Sequence, residues 1–304
     1  MNDIMKKTGD HWSKKAAENP QKIRWWQSAR IIQHINKVVC GEGVSGFSQG
    51  LLNIVRSRAK QQIPFKKGIS VGGGSGQKEM VLLRHGIIDT FDLYEYSEAR
   101  IAIGIDIAEK KGLKDRINFI YGDAFELVPQ EEQYDFVHWN NSLHHMLNVD
   151  KAVEWSKNIL RPGGLFYMDD FVGASRFQWP DAQLEFATRI RTVFENSKYL
   201  NDPRRVVGSL PTSISRPNME KLIEDDPSEA ADSEGIVDAI YKHFPQAEFK
   251  ATGGVVYHLV LNDMLNNFDE NDDKILLDLL MIIDELYTKL GQTHYGVALA
   301  FKEG

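Results

Sequence analysis

The sequence predicts an α/β fold, a mostly parallel sheet with helices on both faces, and three observations carry that prediction. From Gly68 onward, short β-branched and aromatic runs alternate with amphipathic stretches, the order of repeated strand–helix units. One junction, Ile69-Ser70-Val71-Gly72-Gly73-Gly74-Ser75-Gly76, breaks a strand into glycines just ahead of a helix. Polar residues then recur at consecutive strand ends, where open parallel sheets bind their ligands.

The elements follow in order. Before the sheet, the first 65 residues read as helical: Ile31, Ile32, Ile35 and Val38 fall on one face, and Phe47, Leu51, Leu52 and Val55 repeat the pattern. Pro64 and Lys66-Lys67 close this extension. The first strand runs into the glycine turn, and the helix from Gln77 ends at Gly86. A second strand covers Ile88–Tyr94; Ser97 caps a helix running to Lys111, which Gly112 stops. The third strand is Ile117–Tyr121 and the fourth Phe136–Trp139. A helix from Val149 to Leu160 halts at Arg161-Pro162-Gly163-Gly164, before a fifth strand at Leu165–Met168. Residues 173–248 interrupt the alternation with a helical insertion, helical over Gln183–Asn196, of a length that marks a lid or substrate module. The strand Val255–Leu261, the helix Lys274–Leu290 and the strand Tyr295–Phe301 finish the sheet. Two regions result: an extension at 1–65 on the lid or substrate side, and an α/β domain at 66–304.

Composition excludes several classes. An apolar content of 42% in 304 residues supports a real core. No run approaches the roughly 20 apolar residues of a membrane helix, and Met1–Lys7 lacks the apolar stretch of a signal peptide. The net charge of −7 argues against a nucleic-acid partner. A single cysteine, Cys40, rules out an internal disulfide and a cysteine-rich zinc site and fits a reducing cytoplasm.

The chemistry gathers at the strand ends. The spacing of Gly72, Gly74 and Gly76 is G-x-G-x-G, shorter than the G-x-G-x-x-G of pyrophosphate sites, so a phosphate-free nucleoside is favoured over NAD. Glu95 lies about twenty residues beyond the turn, where an acidic group accepts from ribose hydroxyls. Asp123 can accept an adenine amino hydrogen, with Ala124 leaving room for the ring. The histidines His144 and His145 follow the fourth strand, and either suits a general base near neutral pH. Asp169 or Asp170 could be that base instead, or could hold a divalent metal. Aromatics are dense outside the sheet. Trp179 and Gln178, just after the fifth strand, are placed as substrate contacts, whereas Trp25-Trp26 reads as helix packing. Arg204, Arg205 and Arg216 offer a phosphate or carboxylate contact, against the plainer reading of surface charge.

These residues resemble the class I S-adenosylmethionine-dependent methyltransferases. The likeness rests on Ser70–Gly76, Leu93-Tyr94-Glu95-Tyr96-Ser97, Gly122-Asp123-Ala124, Tyr134-Asp135-Phe136-Val137, Asn141-Ser142-Leu143-His144-His145 and Leu160–Gly164, spread over residues 68–170. The resemblance implies a Rossmann-like seven-stranded sheet with the last strand antiparallel, and S-adenosylmethionine as cofactor. By that analogy Gly72, Gly73, Gly74, Gly76, Glu95, Tyr96, Asp123, Ala124 and Asn140 surround the cofactor. Ser70 departs from the pattern: many members carry an acid there, so a backbone carbonyl near Gly72 has to serve the methionine amino group. Asp170–Gly173 with Arg176-Phe177-Gln178-Trp179 resembles a bacterial subgroup acting on polysaccharides or natural products, which puts Arg176, Gln178 and Trp179 on the substrate.

The expectation is a cytoplasmic O-methyltransferase acting on a small molecule or glycan precursor, with His145, His144 or Asp170 as the base and no resident metal assigned. N- or C-methylation of a secondary metabolite, a non-catalytic methyltransferase-like binding module and an NAD-dependent oxidoreductase stand as rival readings. The partner is a small-molecule or sugar acceptor, neither nucleic acid nor membrane, and a homodimer stays open.

Overall fold

The computed structural model describes residues 3–17, 23–202 and 208–304. Three helices, α1 (Asp3–Ala17), α2 (Ala29–Cys40) and α3 (Gln49–Arg58), precede the sheet. Ser28 caps α2 by accepting from the Ile31 amide, and Gly41, in the left-handed region, ends it. Then follow β1 (Phe65–Val71), α4 (Gln77–Arg84), β2 (Ile88–Glu95), α5 (Glu98–Lys110), β3 (Ile117–Tyr121), the single turn α6 (Ala124–Leu127), β4 (Tyr134–Asn140), α7 (Val149–Ile159) and β5 (Leu160–Phe171). The insertion supplies α8 (Asp181–Val193), α9 (Met219–Asp225) and α10 (Ile236–His243); β6 (Glu248–Gly253), α11 (Lys274–Lys289) and β7 (Tyr295–Phe301) complete the chain.

All seven strands form one sheet in the order β3-β2-β1-β4-β5-β7-β6, with β7 antiparallel to both neighbours. The strand order reverses between β1 and β4, and that switch point opens the crevice in which the glycine turn lies. Alternation along the strands divides the core. Val137, Trp139, Phe166 and Met168 pack against α7 and α10 on one face. Phe136, Leu165, Tyr167 and Leu299 pack against α3 and α4 on the other. A third cluster joins the insertion, α11 and the turn at Trp25 through Phe171, Tyr257, Leu280 and Tyr295.

Two sequence expectations fail here. The apolar run Val255–Leu261 is not a strand: Val255–Val260 forms a wide π-type helical turn, and the strand lies earlier, at Glu248–Gly253. Gly253 (φ 93°) and Gly254 (φ 114°) break the strand, and the Asp284 carboxylate of α11 caps the turn by accepting from the Gly254 and Val256 amides. Val255, Val256, Tyr257 and Val260 are all buried, so the run carries no period that separates helix from strand. The second correction concerns β5, which begins at Leu160. The segment expected to end the preceding helix joins the strand instead, because Lys302 continues the ladder with Gly163 and Gly164. Among the described residues no helix is long and apolar enough to cross a membrane.

Candidate active site

The glycine turn is built for close approach. Gly72 and Gly74 sit at φ 66° and 61°, a region that side chains disfavour, and the Gly72 amide donates to the Tyr94 carbonyl at 2.8 Å. A Cβ on Gly72 would lie 3.1 Å from Ser142 Cβ, and one on Gly74 would lie 3.3 Å from Arg100 Nη1. Glu95, at the end of β2, pins the turn: one carboxylate oxygen accepts from the Gly74 amide at 2.8 Å, the other from the Tyr96 and Ser97 amides at 2.9 and 2.8 Å. Ser97 caps α5 by accepting from the Arg100 amide. Asp123 caps the short turn after β3 through the Phe125 amide. The Ser70 hydroxyl lies beneath the turn and donates to the buried Glu79, which also bonds the His138 ring at 2.8 Å.

These strand ends open onto a cavity of about 1310 Å³. Its walls include Gly72, Gly73, Gly74, Glu95, Tyr96, Asp123, Ala124 and Asn140, all expected around the cofactor. Gly76 is not among them; a Cβ there would press on Ile117, Leu93 and Phe119 at 2.9–3.1 Å, so its smallness serves helix–sheet packing. Trp12 of α1, Trp25, Trp26, Phe177, Trp179 and Tyr295 supply an aromatic wall. Helix α1 is held over this wall: Trp12 meets the His145 ring edge-on at 5.6 Å, Arg100 stacks over Trp12 at 4.2 Å, and the Ser13 and Ser97 hydroxyls bond.

Beside the aromatics, His144 and His145 lie in a short helical turn after β4. The buried carboxylate of Asp170 holds that turn with both oxygens, accepting from the Ser142 and Leu143 amides at 2.8 and 2.7 Å and from His144 Nδ1 at 2.5 Å. His144 Nε2 faces Glu229 at 3.5 Å. Burial alone would lower the pKa of His144, but the charges and hydrogen bonds of Asp170 and Glu229 push it up to about 10. Glu229 is brought down to about 2, the two imidazoles outweighing its burial. His145 goes the other way, to about 4, through burial and the charge on His144. Its Nδ1 meets Ser228 Oγ at 2.9 Å, and Ser228 donates its own proton to Asp226 at 2.7 Å. Ser228 Oγ therefore accepts from His145 Nδ1–H, which leaves the Nε2 lone pair for another donor. One donor atom each from His144, His145 and Glu229 lies within 4.8 Å of the others, the one grouping among the described residues with the ligand types for a metal ion.

Other expected site residues are placed elsewhere. Asp170 does not line the cavity; it is a buried support. Arg176 and Gln178 are also set behind the wall. Arg176 donates to the Pro227 and Glu229 carbonyls at 2.8 and 3.0 Å, fixing the loop that carries Glu229, and Gln178 bonds the Arg176 carbonyl. Trp179 does line the cavity, stacked between Phe177 and His294. Arg216 lines it as well, tied to the Trp179 carbonyl and Asp181. Arg204 and Arg205 lie outside the described residues. Sequence reading missed Lys78, Asp226, Ser228 and Glu229. The last three come from an acidic loop of the insertion whose composition resembles any solvated segment, so no local signal marked them.

The methyltransferase-domain family matches residues 66–230. A 27-O-demethylrifamycin SV methyltransferase of Amycolatopsis mediterranei is 28% identical over 118 residues, 38% of this chain and 43% of that protein. A demethylmenaquinone methyltransferase of Leptospira interrogans is 30% identical over 107 residues, 35% of this chain and 43% of that protein. The chain thus spans less than half the length of these relatives. Phosphoethanolamine N-methyltransferase 2 of Haemonchus contortus, solved with S-adenosyl-L-methionine, superposes with a TM-score of 0.52 at 14% identity, covering 85% of this chain and 53% of that one; the likeness is one of fold. With a seven-stranded sheet of this order, and a family match over more than half of its 304 residues, the chain belongs to the methyltransferase-domain family.

Proposed function

We propose that this protein is an S-adenosylmethionine-dependent methyltransferase that methylates a hydroxyl on a ring-bearing small molecule. The observation that carries the reading is a single cavity lined both by the acid-pinned glycine turn and by His145, whose Nδ1 is engaged by Ser228. The residues fit the cofactor: a cradle that a Cβ would narrow, a carboxylate at the β2 end and a small residue after Asp123. Gly72 and Gly74 would face it, with Glu95 toward ribose and Asp123 toward the base. Bound there, the sulfonium supplies an activated methyl group. The chain's own residues then align the acceptor, exclude water and take the proton.

His145 is the base in this reading. A pKa near 4 keeps it neutral across physiological pH, and the Asp226–Ser228 chain fixes the tautomer that exposes Nε2. So weak a base suits an already acidic hydroxyl, such as one on an aromatic ring, and the wall of Trp12, Phe177 and Trp179 suits a flat acceptor. His144 stays an imidazolium between its two carboxylates and orients its neighbour. The extension at 1–65 acts as a lid through Trp12, and residues 66–304 form the catalytic domain. With a single cysteine in the chain, we place the enzyme in the cytoplasm.

Calorimetric titration with S-adenosylhomocysteine tests the cofactor half. Wild type binds and Gly74→Arg does not; no heat from wild type at millimolar ligand refutes the reading. His145→Ala retains that binding while turnover on phenolic acceptors falls by roughly 10²-fold or more. Undiminished turnover would remove His145 from the chemistry.

A further inference from the structure

The cavity contains two opposite charges that lack direct ionic partners. Lys78 stands in the first turn of α4, immediately after the glycine turn, where the helix dipole disfavours a cation. Among the described residues its ammonium makes one hydrogen bond, to the side-chain oxygen of Asn140 at the β4 end, and no carboxylate lies within ion-pair distance. Asp169 ends the neighbouring strand β5, and its carboxylate accepts no hydrogen bond from the described residues. Both line the cavity. Burial pulls the Lys78 pKa down and pushes Asp169 up to about 6, so each charge is under-satisfied in place. Meanwhile β1 offers no acid, since Ser70 is turned onto Glu79 beneath the loop.

A cation at the start of α4 and an anion near the end of β5, both lining one cavity and each short of partners, match a ligand carrying both charges on one carbon. We propose that Lys78 and Asp169 form a site for an α-amino-acid zwitterion, Lys78 meeting the carboxylate and Asp169 the ammonium, occupied by the methionine end of S-adenosylmethionine. The inference rests on the cofactor reading above and extends it. It assigns the amino-group anchor to β5 in place of the acid missing from β1, and it makes Lys78 a specificity-determining residue for cofactors that retain the amino acid.

The test compares S-adenosylhomocysteine with 5′-methylthioadenosine, which keeps the nucleoside and sulfur but lacks the amino acid. Dissociation constants for both are measured by calorimetry at pH 7.5 on wild type, Lys78→Met and Asp169→Asn. The expected result is at least tenfold weaker binding of S-adenosylhomocysteine by each variant, with methylthioadenosine within twofold of wild type; the latter also reports an intact fold. Unchanged S-adenosylhomocysteine binding overturns the proposal, as does equal weakening of both ligands. Wild type that binds neither ligand overturns the cofactor reading, and this inference with it; wild type that binds both leaves the variants to decide the proposal alone.

Discussion

Asp170→Asn is the most revealing single change, because both carboxylate oxygens are in use. One accepts from the Ser142 and Leu143 amides, the other from His144 Nδ1 and the Phe171 amide. An asparagine has one acceptor oxygen. Whichever way it turns, its NH₂ faces donors that had bonded a carboxylate, and the imidazolium loses a charge partner. Two buried donors left without acceptors cost about 1–3 kcal/mol each, and breaking a buried ion pair from one side costs about 3–5 kcal/mol in all. For a chain of this size that lowers the melting temperature by roughly 10 °C. The effect also depends on pH with a definite sign. His144 has a folded pKa of about 10, above its ordinary 6.5, so its stabilisation is complete below pH 6.5 and is lost as pH rises toward 10. Over that window wild-type stability falls by up to about 1.4 kcal/mol per pH unit on account of this one proton. The asparagine variant, keeping only Glu229 against His144, falls less. Urea unfolding of both proteins at pH 7, 8 and 9.5 reads the difference. The gap should be widest at pH 7 and should narrow toward 9.5. A variant within 1 kcal/mol of wild type at pH 7, or a gap constant across the series, refutes the charge assignment.

Two further outcomes follow from the same geometry. Ser228→Ala cuts the link between Asp226 and His145 and frees the ring to take the other tautomer; kcat should drop by about tenfold to 10²-fold, while calorimetric binding of S-adenosylhomocysteine is unchanged. Gly253→Ala should destabilise the protein by roughly 3 kcal/mol or more, read by thermal unfolding, because the added Cβ would lie 1.8 Å from Asp284 Oδ2 at a backbone φ of 93°.

How much of this was legible in the sequence depends on where each signal is stored. The first three strands and the helices between them carry their signals locally. Ser97 starts a helix, Gly112 stops it, and Ile117–Tyr121 falls between turn residues, so the elements came out almost as the structure has them. The strand-end residues Glu95, Asp123 and Asn140 were legible for the same reason: in a parallel sheet, position along the chain fixes which end of the sheet a residue reaches. Val255–Val260 reads locally as a strand because its conformation is decided by Asp284, distant in sequence, accepting from the Gly254 and Val256 amides next to two glycines at positive φ. Position after β5 points Gln178 to the substrate and the family resemblance adds Arg176, but a tight turn with Arg176 at φ 55° accompanies a guanidinium directed back to the Glu229 loop. Ser70 leaves the β1 end without an acid, and its hydroxyl donates instead to Glu79, in the following helix, which also bonds the His138 ring under the loop.

That arrangement separates two tasks. The Glu79 carboxylate is only 1% exposed and too deep to reach a ligand, and a Cβ on Gly73 would come within 2.8 Å of the Ser70 hydroxyl. Its work is therefore to hold the floor of the glycine turn, and contact with a ligand is left to groups facing the open cavity. The histidine pair is held from two sides: Asp170, behind His144, fixes the turn and together with Glu229 keeps that ring protonated, while Ser228 and Asp226 approach His145 from the insertion. The floor lies between Ser70 and Asp170, on the sheet itself; Asp226, Ser228 and Glu229 come from the insertion, whose Ala231 amide donates to the His144 carbonyl. On the proposed function, exchanging Glu229, Ser228 or Asp226 should change turnover and its pH response well before it changes the affinity for S-adenosylhomocysteine, measured by calorimetry.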